Sequence, residues 1–122
     1  MPAPLGPYSP FARAGDLVVT SGQLGVTDGP DGRPALVEGS TADQLAQALC
    51  NAEAVLAAAG VRKDQVVKAT LFLMDMGDFG ACNEVWASFF GDHRPARTAI
   101  GVAALPLNAR IEVELWACSA DA

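Results

Sequence analysis

Val66-Val67-Lys68-Ala69-Thr70-Leu71-Phe72-Leu73-Met74 is a β-rich run whose apolar residues occupy both alternating faces towards its end. Successive side chains in a strand point to opposite faces, so Val67, Ala69, Leu71 and Leu73 share one face, and Phe72 and Met74 take the other. A sheet with one face in water alternates more cleanly than this. The run therefore predicts a strand covered by helices on one side and by further protein on the other.

The flanking segments supply the helices. Upstream, Leu45, Ala48, Leu49, Ala52, Val55, Leu56 and Ala59 recur at helical spacing and define one apolar face. The helix starts in Ser40-Thr41-Ala42-Asp43-Gln44, where Thr41 and Gln44 are spaced as a capping box, and Gly60 stands where a C-terminal glycine belongs. Downstream, a second helix is expected from Asp78 as N-cap to about Phe90, ending at Gly91, with Phe79, Val85, Trp86, Phe89 and Phe90 on its buried side.

Further out lie the remaining strands. Residues 1–10 are rich in Pro and Gly and predict an extended arm. Phe11 to Ala14, a turn at Gly15-Asp16, and Leu17 to Leu24 read as two strands, and Thr27 to Pro34 reads as a loop. Ala96 to Ala103 and Ala109 to Trp116 form the last pair, and the linker Ala104-Leu105-Pro106-Leu107-Asn108 is short enough for a hairpin-like return. The expected order is ββαβαββ, an α+β fold in which two helices cover one face of the sheet.

At 122 residues the chain is expected to form one domain, 1–122. It is 51% hydrophobic and 18% charged, with mean hydropathy +0.24, which is apolar for a chain with so little interior. Together with the two-sided strand, this predicts a face buried against another copy, and symmetric closure makes a homo-oligomer the expected form. The net charge of −6, with only 8 Lys and Arg, argues against nucleic acid as a partner. No apolar run reaches the roughly 20 residues that span a bilayer, and the N-terminus lacks the regions of a signal peptide. The expected setting is soluble and cytoplasmic. Cys50, Cys82 and Cys118 are widely spaced and His93 is the lone histidine, so no metal site is expected; the thiols read as small buried apolar groups.

Of the four charges inside the last strand pair, Arg97, Arg110, Glu112 and Glu114, two matter most. Arg97 offers a planar fork suited to a carboxylate, and the Glu112 carboxylate can orient or activate water. Charges within β segments are costly unless paired, hydrated or used. Two outcomes are open for Arg97: binding a small anion, or pairing with Glu112 or Glu114 across the hairpin.

Several motifs occur in one order: Gly6-Pro7-Tyr8-Ser9, Thr20-Ser21-Gly22-Gln23, Asp78-Phe79-Gly80-Ala81-Cys82-Asn83, and Pro95-Ala96-Arg97-Thr98 through Ala104-Leu105-Pro106 to Ile111-Glu112-Val113-Glu114. With them the chain resembles the Rid (YjgF-like) family of reactive-intermediate deaminases over nearly its whole length. The resemblance implies a chorismate-mutase-like fold assembled as a homotrimer, with active sites in clefts between subunits. It implies cofactor-free hydrolysis of enamines and imines such as 2-aminoacrylate and 2-iminopropionate to 2-keto acids and ammonia. Arg97 then matches the family's carboxylate-binding arginine and Glu112 its water-positioning glutamate. Tyr8, Ser21, Asn83 and Ala99 match other pocket positions, some of which come from a neighbouring subunit in the family. Ala99 stands where many members carry cysteine and Gly101 where an acidic residue is common, which bears on substrate preference. The competing reading is a module that binds a small carboxylate in the same cleft without turning it over.

Overall fold

The computed structural model describes residues 3–120, so Met1 and Pro2 of the expected arm lie outside the described residues. Among the described residues the arm has no regular structure before β1 (Phe11–Ala14), which turns through Gly15 into β2 (Leu17–Thr20). The expected second strand breaks at Ser21-Gly22 and resumes as β3 (Gln23–Leu24). A small separate sheet, β4 (Val26–Asp28) with β5 (Pro34–Leu36), takes in both ends of what the turn residues predicted as loop.

Helix α1 (Thr41–Ala58) forms as expected, with its cap one residue earlier. Ser40 and Asp43 make the capping box, not Thr41 and Gln44. The Thr41 hydroxyl instead donates to Asp78 Oδ2 at 2.7 Å, and Gln44 Oε1 accepts from the backbone N–H of Arg110 at 2.9 Å. Gly60, at φ +79°, closes the helix: its N–H bonds to Ala57 O and that of Val61 to Leu56 O, the double bond pattern of a glycine C-terminus.

Strand β6 (Val66–Leu73) carries a register shift between Val66 and Lys68. The bulge corrects the expected alternation: Val66 faces the core, Val67 is exposed, and Ala69, Leu71 and Leu73 are buried as predicted. A 3-10 turn at Met76–Asp78 leads into α2 (Phe79–Phe90). This helix buries Cys82, Trp86 and Phe90, with Val85 and Phe89 partly buried. Phe79, expected on the buried side, is exposed.

Strands β7 (Ala96–Gly101) and β8 (Ile111–Cys118) do not form a hairpin. The sheet order is β1-β2-β8-β6-β7, with β3 also on β8. β7 pairs parallel to β6, and β8 runs antiparallel between β2 and β6. The cause lies in α2, which carries the chain back over the sheet so that β7 starts beside the start of β6. The free slot for the last strand is then on the far side of β6. Both helices pack on one face over Val18, Ala69, Leu71, Leu73, Ile111, Val113, Leu115 and Ala117. The fold is α+β, a mixed sheet with two helices on one side. The opposite face exposes Ile100 and Trp116.

Candidate active site

Arg97 points to the helix side of β7: its sheet partner Ala69 is buried, as is Leu115 beyond it on β8. There α2 presents Phe79, Asn83 and Trp86 at helical spacing. The guanidinium carbon lies 5.2 Å from the Phe79 ring centre and 5.2 Å from that of Trp86, within the range of cation–π attraction. Arg97 Nη2 donates to Asn83 Oδ1 at 2.7 Å. Among the described residues no carboxylate forms an ion pair with Arg97. The guanidinium is thus oriented from three directions while its charge stays unneutralised. Cys82 lies beneath, its thiol pushed up by burial and by Asp78 against an opposing pull from Arg97, so it remains a protonated packing group. Ala99 follows Arg97 on the same face, partly buried against the core.

Glu112 lies elsewhere. It pairs with Phe72 on β6, and its neighbours Ile111 and Val113 face the helices, so its own side chain points to the open face. Glu112 is half-buried, and that burial, with Glu114 two residues along the same face, raises its carboxyl above the usual range. The carboxylate packs directly on Gly22: a Cβ there would come within 2.7 Å of Glu112 Cδ. Next to Gly22, Ser21 Oγ donates to Ser9 O at 2.6 Å and Ser21 N–H to Pro10 O at 2.8 Å. These bonds fasten the arm, which carries Tyr8, 48% exposed, just upstream of the anchor. The Tyr8 hydroxyl oxygen accepts from Leu5 N–H at 3.3 Å.

The six residues singled out by sequence therefore fall into two groups. Arg97, Asn83 and Ala99 gather under α2. Glu112 lies against the Ser21–Gly22 step, where the Tyr8 arm is fastened. One chain does not bring the groups together, and the expectation that Arg97 and Glu112 face each other across a hairpin is corrected: they point to opposite faces of the sheet. The same geometry removes the alternative in which Arg97 merely neutralises Glu112 or Glu114. Sequence reasoning missed the aromatic cradle and Gly22. The Phe79, Asn83 and Trp86 spacing of four and three residues was the available signal for the first; the second lies in the Thr20-Ser21-Gly22-Gln23 motif, which does not show that its glycine meets Glu112. His93, the lone histidine, is half-buried with Nε2 2.7 Å from Val66 O. Of the cysteines only Cys82 is fully buried, and Cys50 is exposed.

Among the described residues no helix is long and apolar enough to cross a membrane. A family model described as Endoribonuclease L-PSP matches residues 1–119. A protein of Dermatophagoides farinae named 2-iminobutanoate/2-iminopropanoate deaminase is 41% identical over 113 residues, covering 93% of this chain and 86% of the relative. Among solved structures, the YjgF gene product of E. coli superposes with a TM-score of 0.85 at 36% identity, covering 98% of this chain and 93% of its own. E. coli TdcF with bound serine gives 0.85 at 33% identity, covering 98% and 93%. With both its sequence and its fold matched over almost their full length, the chain belongs to the L-PSP (YjgF/Rid) family.

Proposed function

We propose that the protein hydrolyses small 2-imino acids, and the enamines that tautomerise to them, to 2-keto acids and ammonia, at sites each built from two subunits of a homotrimer. The observation that carries this reading is the Arg97 guanidinium, held by Asn83 and two aromatic rings yet without a carboxylate partner among the described residues. A cation oriented so firmly and left unneutralised is suited to an anion from solution. The imino-acid deaminase name of the Dermatophagoides relative points to the same anion class, as does the serine bound by TdcF.

In this mechanism Arg97 grips the substrate carboxylate through its remaining N–H groups. Glu112, contributed by the open face of a neighbouring copy, takes a proton from water as the oxygen attacks the C=N carbon. The C=N electron pair moves to nitrogen, which is protonated. Collapse of the carbinolamine expels ammonia and leaves the keto acid. Atoms and electrons balance with water alone, so no cofactor is called for. The raised proton affinity of Glu112 suits a group that must accept a proton and then return it. Tyr8 and Ser21 shape the Glu112 side of the cleft.

The exposed Trp116 and Ile100 support an interface between copies on the open face. We place the activity in the cytoplasm, where three free thiols stay reduced. No role for nucleic acid is proposed, since the net charge of −6 opposes a polyanion.

The test generates 2-iminopropanoate from alanine with an amino-acid oxidase and follows semicarbazide trapping, with and without the protein. Less trapped imine and more keto acid are expected, and Arg97→Ala should lose the effect. Carboxylate binding by calorimetry without any acceleration would instead establish a binding module.

A further inference from the structure

Along β7, Arg97 is followed on the helix-side face by Ala99 and Gly101, whose partners Leu71 and Leu73 are both buried. Neither residue projects farther than a methyl group. Beside them stand Met76 and Phe79, 47% and 38% exposed, on the turn and first residue leading into α2. A Cβ on Gly101 would meet Met76 Cγ at 3.5 Å and Sδ at 3.8 Å, ordinary contact distances. There is room for carbon here that the chain does not fill. A Cβ on Gly80, at the same end of α2, would meet nothing within 4 Å.

The guanidinium is thus one end of a strip whose other end is apolar and wet. The two acids of the turn that carries Met76 are already engaged: Asp75 Oδ1 accepts from Gly77 N–H at 2.8 Å and Asp78 Oδ2 from the Thr41 hydroxyl at 2.7 Å. Beyond the guanidinium, Ala99, Gly101, Met76 and Phe79 offer no cation to a second negative charge.

We infer that the strip formed by Ala99, Gly101, Met76 and Phe79 is the side-chain subsite of the imino-acid site, and that it selects long apolar side chains, of leucine, methionine or phenylalanine type, over the methyl of 2-iminopropanoate. The inference rests on the reading of Arg97 as the carboxylate anchor. A substrate held there by its carboxylate has its α-carbon one bond away, and the side chain continues over the exposed Met76 and Phe79. Each methylene so removed from water is worth about fourfold in binding, and a thioether adapts its shape to what lies on it.

The experiment compares kcat/KM for imines generated from alanine, leucine, methionine, phenylalanine and glutamate. The leucine-to-alanine ratio is expected to exceed about tenfold, with glutamate poorest. Gly101→Val fills the strip and should bring the ratio close to one. Met76→Gln, at an exposed position that tolerates a polar group, should lower the same ratio and serves if the valine variant fails to fold. A wild-type ratio at or below one overturns the subsite, as does a ratio untouched by both variants in folded protein. No acceleration with any imine removes the deaminase reading itself, and the subsite with it.

Discussion

Gly22→Ala is a methyl-sized probe of whether the Glu112 carboxylate works from the place where it is found. The added Cβ would lie 2.7 Å from Glu112 Cδ, 2.8 Å from Oε2 and 3.1 Å from Cγ. Carbon atoms rest about 3.5–4.0 Å apart, so the carboxylate must retreat by about 1 Å. Gly22 is not among the glycines with positive φ, so alanine fits its backbone, and the displaced group is the end of a flexible side chain. Folding stability should hardly change. Catalysis should, because a misplacement of about 1 Å in a positioned group costs about 10²-fold. The expected result is a fall of that order in kcat/KM for imine hydrolysis with an unaltered melting temperature. The same methyl group should cost little in a Glu112→Gln background, since two changes acting through one carboxylate do not add. Full activity in folded Gly22→Ala would refute the assignment of Glu112, and additive losses would show that the glycine acts by another route.

Other tests address electrostatics and folding. Burial chiefly, and Glu114 second, hold the Glu112 carboxyl above its usual range; a base is lost on protonation, so activity should fall as pH drops through that raised value. Glu114→Gln removes the like charge and should move this acid limb to lower pH without bringing it to that of an ordinary glutamate, as a pH–rate profile would show. By linkage, an acid held above its unfolded value favours the folded state once protonated and opposes it when ionised. Glu112→Gln should therefore melt no lower than the parent at neutral pH while losing activity. Asn51 Nδ2 donates to Leu24 O at 3.0 Å and Val26 O at 2.8 Å inside the protein. Asn51→Ala leaves two carbonyls without that donor and should cost about 2–4 kcal/mol, read as a lower urea midpoint at constant slope.

Helix α1 was legible because its signals are local: an apolar stripe, a polar start and Gly60 at the exit. Its cap shifted by one residue because Thr41 and Gln44, which fit a capping box by spacing, have distant partners in Asp78 and the Arg110 backbone. Strand β6 was legible as a two-sided strand, but its bulge put Val66 where alternation had put Val67. The hairpin failed for a deeper reason. Strand order depends on where α2 delivers β7, and nothing in the two C-terminal strands records that β6 separates them. The candidate site suffered the same fate. Arg97 and Glu112 stand out as charges in apolar strands, yet which face each occupies follows from registers to β6 that no local pattern encodes. Asn83 gave no sign of its bond to Arg97, since a polar residue on a helix reads as solvated.

The claim that one site draws Arg97 from one copy and Glu112 from another is tested most directly by subunit mixing. Arg97→Ala and Glu112→Gln, each expected to be inactive alone, are co-refolded in equal amounts, and imine hydrolysis is measured on the mixed oligomer. In a cyclic assembly each site has about one chance in four of receiving both intact groups, so about a quarter of the parent activity should return. Mixed oligomers that remain wholly inactive, or a parent protein fully active as a monomer, would contradict the account.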